Sequence, residues 1–253
     1  MRIAILCSDG PHNKYLIFRV CKNFGDVKIF IEPGKEQLNW KLHKKKYRQY
    51  FQLKYQIIRR KIVGSDKFRK KFFEPLIDAS SFEQYDVEIV QNINDESVCN
   101  GLITYKPNII IVMGTTILHK KILHIAEKSD IINIHGGYLP YYKGNHCFFF
   151  AYYNKEFDKI GSTLHYVNSG IDSGDIIDWA VPAISKDDTP ESLYCKAEKM
   201  AVDKLIELLQ RYQKGETLPR YKQENVGHLY YTKDRKLYYD IILLLRKMRG
   251  EYK

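Results

Sequence analysis

The sequence predicts an α/β fold with a mostly parallel sheet and helices on both of its faces. Short apolar runs alternate with longer amphipathic segments over about the first 180 residues, as in strands joined by helical crossovers. Two runs, Ile109–Met113 and Ile131–Ile134, are apolar throughout, which is typical of central strands covered on both faces. In open sheets of this kind, ligands bind at the carboxyl ends of the strands.

The order of the elements follows from periodicity and turn residues. A strand is assigned where a short apolar or alternating run meets turn residues, as Val27–Ile31 does before Pro33 and Gly34. The predicted strands are Ile3–Cys7, Val27–Ile31, Val87–Val90, Ile109–Met113, Ile131–Ile134, 161–167 and 176–181. Helical periodicity predicts helices over 12–24, 95–105, Ile117–Lys128, 145–154, Thr189–Arg211 and 234–249. Short β-like pieces are expected at Tyr221, Val226 and Leu229–Thr232.

The pattern changes after Pro182, where a long helix begins. Thr189 suits its N-cap, because a hydroxyl there can accept a backbone N–H, and Pro190 suits the first helical position. We therefore expect one α/β domain over residues 1–185. Residues 186–253 are expected to form a C-terminal helix and a small β/helical appendage.

A strongly basic segment lies between the second and third predicted strands. Residues 35–71 carry 14 of the 41 Lys and Arg residues but only two acidic ones, so most of the net charge of +11 lies here. An apolar stripe recurs at helical spacing through Tyr47, Phe51, Tyr55, Ile58 and Ile62. The pattern predicts one amphipathic helix in an insertion at about 35–75. Three roles fit it: a solvated helix packed on the domain, a site near a phosphate-bearing substrate, or contact with RNA or an anionic membrane surface.

The composition excludes several classes of protein. No apolar run approaches the roughly 18 residues that a membrane span needs, and the N-terminus is typical of a strand, not of a signal peptide. The five cysteines are odd in number and include no C-x-x-C, which favours reduced thiols over disulfides or zinc. The loop after the first strand lacks G-x-G-x-x-G. We expect a cytoplasmic protein without a metal site, a membrane span or a dinucleotide cofactor.

Polar residues stand at the ends of two predicted strands. Asn133 and His135 lie in IINIHGGYLPYYKG and, being two residues apart on a strand, point to the same side. Asp172 lies in the Gly-flanked loop of GSTLHYVNSGIDSGDII. An amide donor, an imidazole and a carboxylate suit a reaction that passes through an oxyanion while a proton is removed. By contrast, His165 lies inside a strand pattern and is interpreted as structural.

The motifs N-x-H, L-P-x-x-x-G and H-x-V-x-x-x-x-D-x-G follow each other in this order. Together they resemble the formyltransferase family that uses 10-formyltetrahydrofolate, over about residues 107–182. The resemblance implies a Rossmann-like formyltransferase fold, with Asn133, His135 and Asp172 as the catalytic residues. It implies that Asn133 and a protonated His135 donate hydrogen bonds to an oxyanion, and that Asp172 favours the imidazolium and helps to remove the amine proton.

The same resemblance implies the ligand contacts. The loop after the strand Ile109–Met113 is expected to wrap its main chain around the pterin, mainly through backbone groups of Thr116 and Leu118. The implied cofactor-binding residues are Thr115, Thr116, Ile117, Leu118 and Asp172. The implied substrate-binding residues are Lys143 and Gly144, and Lys143 or the basic insertion could hold a diphosphate. No metal is implied.

Several acceptor amines remain open. The methionyl-tRNA enzymes carry an additional C-terminal barrel, for which the segment after Pro182 looks too short. The glycinamide ribonucleotide enzymes have a Gly-Ser-Asn phosphate loop that residues 9–13 lack. The chain is therefore most similar to stand-alone N-formyltransferases that modify nucleotide-linked amino sugars for surface polysaccharides. The stretch GNHCFFFAYYN could pack against a sugar or base, or form a helix buried through Phe148 and Ala151.

The leading interpretation is thus a folate-dependent N-formyltransferase whose partner is a small-molecule amine, a nucleotide-linked amino sugar. One alternative is the same chemistry on another small amine, such as glycinamide ribonucleotide or an amino acid derivative. The other is a non-catalytic nucleic-acid-binding protein that uses the basic insertion, although the intact Asn133, His135 and Asp172 argue against it. A homodimer through the C-terminal segment is compatible with the sequence.

Overall fold

The computed structural model describes residues 1–125, 129–224 and 226–251. The strands in this part are β1 (Ile3–Cys7), β2 (Val27–Ile31), β3 (Asp86–Ile89), β4 (Ile109–Met113), β5 (Asp130–His135), β6 (Tyr142–Gly144), β7 (Ser162–Tyr166), β8 (Ile176–Ala180) and β9 (His228–Tyr230). The helices are α1 (Pro11–Asn23), α2 (Gly34–His43), α3 (Tyr47–Ile62), α4 (Ser65–Phe73), α5 (Glu96–Tyr105), α6 (Lys120–Ile125), α7 (Cys147–Tyr153), α8 (Pro190–Gln213) and α9 (Leu237–Met248).

Seven strands form one mixed sheet in the order β3-β2-β1-β4-β5-β7-β8. The first five are parallel to one another, whereas β7 runs antiparallel to β5 and β8 antiparallel to β7. The carboxyl ends of β4 and β5 therefore lie side by side at one edge. The predicted mostly parallel α/β sheet is confirmed.

The core occupies both faces of the sheet, because successive side chains on a strand point to opposite faces. Ile3 and Ile5 of β1 belong to a buried cluster that includes residues of α1 and α8. Ala4 and Leu6 belong to a second buried cluster that includes residues of α5 and α6. Helices therefore cover the sheet on both sides, as the sequence predicts. Among the described residues, no helix combines the length and apolar content needed to cross a membrane.

The basic insertion differs from its prediction. It forms three helices, α2, α3 and α4, and not one, with Gly64 in a left-handed conformation (φ 75°) before α4. The predicted apolar stripe from Tyr47 to Ile62 is exposed, whereas Gln56 and Arg59 on α3 are buried. These two polar residues can be buried because they have hydrogen-bond partners inside the protein. Gln56 Nε2, for example, donates to the carbonyl oxygen of Arg235 at 2.8 Å.

The C-terminal segment joins the domain through a strand. β9 pairs in parallel with β6, and Leu243 of α9 enters a buried aromatic cluster that includes Phe150 and Tyr142. The long helix α8 begins after Thr189, whose hydroxyl accepts the backbone N–H of Ser192 as predicted. Helices α7 and α9 are shorter than expected, and α6 begins three residues later than expected. Residues 126–128, which were predicted to continue α6, lie outside the described residues.

Candidate active site

A cavity of about 800 Å³ opens at the carboxyl ends of β4 and β5. The loop 114–118 after β4, the end of β5 and the segment 167–172 after β7 line it on the sheet side. Residues of α3, α4, α7 and α8, together with Arg235, line it elsewhere. The cavity thus lies where ligands bind in open α/β sheets.

Asn133, at the end of β5, enters this cavity beside a histidine of β7. The two residues are direct neighbours in the β5–β7 pairing, and Asn133 Nδ2 lies 3.0 Å from His165 Nε2. His165 Nδ1 lies 2.8 Å from the carbonyl oxygen of Tyr166, so this nitrogen carries the proton and Nε2 accepts from the amide. His165 therefore orients the Asn133 amide and leaves its second N–H directed elsewhere. His165 lies within a strand, as its pattern indicates, and it also lines the cavity.

His135 is almost fully buried two residues further along β5. Its Nε2 lies 2.9 Å from the carbonyl oxygen of Tyr142, and its Nδ1 lies 3.5 Å from Asp172 Oδ2. Burial lowers the pKa of His135, and the nearby Asp172 carboxylate only partly opposes this effect. In this site the desolvation penalty on the charged ring outweighs the attraction of the carboxylate. Burial therefore works against the imidazolium that the resemblance implied, and that imidazolium stays a prediction.

Asp172 faces both histidines from a loop conformation with φ 47°. Its Oδ2 accepts the backbone N–H of Gly144 at 2.7 Å, and its Oδ1 lies 3.6 Å from His165 Nε2. Although burial raises the pKa of Asp172, the nearby His135 and the Gly144 N–H oppose this effect and leave the pKa of Asp172 well below its ordinary value. The carboxylate is thus ionised, and the three predicted catalytic residues meet in one place.

Two glycines allow this close approach. A Cβ on Gly137 would collide with His135 Nε2 and would lie 2.6 Å from the carbonyl oxygen of Tyr142. A Cβ on Gly144, which has φ 81°, would collide with the carbonyl oxygen of Tyr230 in β9. Gly144 lines the cavity, whereas Lys143 is not among the described residues that line it. Gly144 therefore contributes its backbone N–H, and the structure does not place Lys143 with the other predicted site residues.

The C-terminal appendage supports the Asp172 loop. Gln223 Nε2 lies 3.2 Å from the carbonyl oxygen of Asp172 and 2.5 Å from that of Gly174. Within the loop, Asn168 Oδ1 accepts hydrogen bonds from the backbone of Gly170 and from Ser173. The loop that carries the carboxylate is therefore fixed from both sides.

The loop 114–118 is held by a carboxylate that the sequence analysis missed. Glu32 is fully buried after β2, and its Oε2 accepts the backbone N–H of Thr116 at 3.0 Å. Burial raises the pKa of Glu32, and hydrogen bonds from Thr116 oppose that effect. The Thr116 carbonyl oxygen accepts from Thr115 Oγ1. The Thr116 N–H is therefore already engaged, whereas its carbonyl oxygen keeps one acceptor position, and the pterin contact through the Thr116 backbone stays a prediction.

Like Thr116, the other loop residues predicted to bind the folate line the cavity. Thr115, Ile117 and Leu118 all belong to its wall, and Ile117 is 68% exposed there. The Ile117 carbonyl oxygen accepts from Asn94. Within the described parts of the chain, the backbone of Leu118 makes no hydrogen bond. Its N–H and C=O therefore remain for a ligand.

Helix α8 closes the opposite wall with a buried carboxyl group. Glu198 is 2% exposed, lines the cavity beside Gly136 and accepts a hydrogen bond from Ser162 Oγ at 2.7 Å. Burial raises the pKa of Glu198 to about 7, and Ser162 and Arg69 oppose it only partly. This group titrates near neutral pH inside the cavity.

Glu198→Gln is expected to make unfolding less dependent on pH. A raised folded-state pKa contributes stability below the ordinary carboxyl pKa, and this stability is lost as pH rises through about 7. Above that pH the variant should therefore be more stable than wild type, by on the order of 1–3 kcal/mol, whereas the two should agree near about pH 4. Urea unfolding at both pH values measures this. A variant that is equally destabilised at both would contradict the argument.

The comparisons with known proteins can now be set beside this geometry. A family model described as formyl transferase matches residues 69–209, more than half of the chain. The chain belongs to the formyl transferase family. The matched segment runs from α4 to α8 and contains Asn133, His135 and Asp172, so these three residues lie inside the part that identifies the family.

Relatives within the formyl transferase family extend the comparison. A methionyl-tRNA formyltransferase from Halothermothrix orenii is 34% identical over 149 residues, which cover 58% of this chain and 46% of that protein. One from Finegoldia magna is 31% identical over 149 residues, covering 58% and 47%. The chain thus spans about half the length of the curated relatives it matches.

A solved structure of a formyltransferase with a related fold covers nearly the whole chain. The N-formyltransferase from Helicobacter canadensis, solved in complex with folinic acid and dTDP-3-aminofucose, has a TM-score of 0.61 at 18% identity. It covers 93% of this chain and 73% of its own. The likeness confirms the predicted formyltransferase fold.

Proposed function

We propose that this protein transfers a formyl group from 10-formyltetrahydrofolate to the amine of a nucleotide-linked amino sugar, in surface polysaccharide biosynthesis. The observation that carries the reaction is the meeting of Asn133, His135 and Asp172 in one cavity beside the loop 114–118. Membership of the formyl transferase family supports the same chemistry. A cytoplasmic location, where reduced folates and nucleotide sugars occur, is part of the proposal.

The folate would supply the formyl carbon, and it would lie between the loop 114–118 and the Asp172 loop. The free backbone N–H and C=O of Leu118 suit the edge of a pterin, which presents both acceptors and donors. Thr115 and Ile117 would add contact surface on the same side. This assignment predicts that folate binding depends on the shape of the loop, and hence on Glu32, more than on the side chain of Thr116.

Asn133 is proposed to stabilise the charge that develops on the formyl oxygen as the amine attacks. One N–H of its amide is directed at His165, so the other can donate to the oxygen. A preorganised donor costs no reorganisation when the charge appears, and removing one typically costs about 10²–10³ in rate. His165 acts here as a positioning residue.

His135 is proposed to take the proton from the attacking amine at Nδ1. Its Nε2 is directed at the Tyr142 carbonyl oxygen, which leaves Nδ1 as the acceptor, and its lowered pKa keeps the ring neutral beforehand. Once protonated, the ring would be paired with the ionised Asp172 at 3.5 Å. Collapse of the tetrahedral intermediate would then break the bond between the formyl carbon and N10 of the folate, and N10 would take up that proton as tetrahydrofolate leaves. This sequence replaces the initially protonated His135 that the resemblance implied, and it matches general-base catalysis by a buried imidazole.

The acceptor is proposed to be a nucleotide sugar because the cavity extends from these residues to a cationic end. Arginines of α3 and α4 line that end, as does Arg235. The Helicobacter structure of related fold contains dTDP-3-aminofucose, and a solved protein from Francisella tularensis (TM-score 0.61, 16% identity, covering 92% of this chain and 77% of its own) is a 4-N formyltransferase. A single amine-bearing molecule with a phosphate tail would fill both ends.

An acceptor panel tests the proposal. Purified protein and 10-formyltetrahydrofolate would be mixed with dTDP-, UDP- and GDP-linked 3- and 4-amino sugars, glycinamide ribonucleotide and methionyl-tRNA. Mass spectrometry would detect the formamide product. Formylation of one nucleotide sugar is expected. Turnover of methionyl-tRNA or glycinamide ribonucleotide alone would overturn the sugar acceptor and keep formyl transfer, whereas no turnover and no folate binding would overturn both.

A further inference from the structure

The basic insertion and the C-terminal appendage meet at the cationic end of the cavity. Gln56 Nε2 of α3 donates to the carbonyl oxygens of Thr232, at 3.1 Å, and Arg235, at 2.8 Å. Gln56 Oε1 in turn accepts from Arg59 Nε at 2.9 Å. These contacts bring two arginines that are far apart in sequence, Arg59 and Arg235, to the same wall of the cavity.

Both of these arginines are buried, and they share one carboxylate. Arg59 is 6% exposed and Arg235 is 3% exposed. Arg235 Nη1 lies 2.9 Å from Asp240 Oδ2, whereas Arg59 Nη1 lies 3.4 Å from the same oxygen, so Arg59 is the more weakly paired of the two. Nearby Arg60 and Arg69 have acidic partners of their own. Two buried guanidinium groups therefore face one carboxylate, and one positive charge is left over.

An uncompensated buried charge is costly, so its presence needs an explanation. Burial and the neighbouring Arg59 lower the pKa of Arg235 to about 10, opposed by Asp240, and the group is still charged at pH 7. The guanidinium of Arg235 also stacks on the ring of Phe149, 3.1 Å from its centroid. Its position is thus fixed by packing as well as by charge.

Two buried nitrogen atoms at this end have no hydrogen-bond partner among the described residues. They are Nε of Arg235 and Nε2 of His146, and both residues line the cavity. His146 has φ 61°, and burial together with Arg59 and Arg235 lowers its pKa well below the ordinary value, so the ring is neutral. Buried polar groups are nearly always hydrogen-bonded. Arg235 Nε carries an N–H and so indicates a ligand atom that accepts a hydrogen bond, and His146 Nε2 can donate to the same ligand in one of its two neutral tautomers.

We propose that Arg59, Arg235 and His146 form an anion subsite that binds the phosphate groups of the acceptor. A phosphate accepts several charge-assisted hydrogen bonds and balances the extra guanidinium charge. The subsite lies in the same cavity as Asn133 and His135, so one molecule can place its amine at one end and its phosphates at the other. This inference rests on the proposed function for the identity of the acceptor but not for the binding of the anion.

The carboxylates of the folate tail are also anions that accept hydrogen bonds from arginine. The test must therefore distinguish them from the phosphate groups of the acceptor. Pyrophosphate serves as the probe, with binding measured by calorimetry on the intact protein. Wild type should bind it, and Arg59→Gln should weaken that binding by about tenfold or more, since hydrogen bonds to charged groups contribute about 1.5–3 kcal/mol. Arg48→Gln, an exposed arginine on the same helix, is the matched control and should bind as wild type does.

Steady-state kinetics with the acceptor amine that the panel identifies as a substrate provide the second test. Arg59→Gln should raise KM for the acceptor about tenfold while kcat and the folate KM stay within about threefold. A rise in the folate KM instead would assign the subsite to the folate tail and overturn the proposal. Asp240→Asn covers the case in which Arg59→Gln does not fold, because removal of the shared carboxylate should strengthen pyrophosphate binding.

Each remaining outcome is decisive. No pyrophosphate binding by wild type, or equal binding by wild type and Arg59→Gln, would overturn the subsite even if formyl transfer is observed. If wild type binds pyrophosphate and Arg59→Gln weakens that binding, but no formyl transfer is found, the subsite is upheld and the proposed function is overturned. The two ideas can therefore fail separately.

Discussion

Asp172→Asn should lower kcat for formyl transfer by about a hundredfold or more. An amide has almost the shape of the carboxylate and can still accept the backbone N–H of Gly144, so the loop should keep its conformation. What it loses is the negative charge that lies 3.5 Å from His135 Nδ1. Without that charge, a protonated His135 would stand uncompensated in a buried site, and proton removal from the amine would slow.

Asp175→Asn is the matched control, because this carboxylate lies in the same loop but is not part of the cavity wall. Steady-state kinetics of both variants at saturating folate and acceptor measure the effect. Equal kcat values for wild type and Asp172→Asn would rule out the charge as part of the mechanism.

Asn133→Ala should reduce kcat by about 10²–10³, since it removes a donor that is oriented before the reaction begins. KM for the acceptor should change little, because the lost hydrogen bond forms as charge develops on the oxygen. His165→Ala should produce a smaller loss of the same kind, as it frees the Asn133 amide to rotate. Asn100→Ala, at an exposed position on α5, is the control for both.

Circular dichroism would verify that Asn133→Ala is folded. A rise in KM with unchanged kcat would contradict the oxyanion role and would indicate that Asn133 only binds substrate.

The strands and the meeting of the three proposed catalytic residues were predictable because their signals are local. Apolar runs such as Ile109–Met113 identify buried strands, and two motifs with fixed spacing identified Asn133, His135 and Asp172. The lowered pKa of His135 was not predictable, since a sequence gives neither the depth of burial nor the balance between desolvation and the Asp172 charge.

Long-range partners explain most of what the sequence analysis missed. The apolar stripe of α3 predicts that the stripe is buried and that Arg59 is exposed. Arg59 is the buried residue instead, because it pairs with Asp240, which lies 181 residues further along the chain. Glu32 likewise shows its role only beside Thr116, 84 residues away. His165 carries no motif of its own, and only the β5–β7 register places it beside Asn133.

The most direct test of the central claim is single-turnover formyl transfer by His135→Ala. The variant should bind 10-formyltetrahydrofolate within about threefold of wild type but transfer its formyl group at least about a hundredfold more slowly. His119→Ala, an exposed histidine close to the 114–118 loop, should transfer at the wild-type rate. Transfer by His135→Ala at the wild-type rate would show that the chemistry takes place without this cluster and would contradict the account.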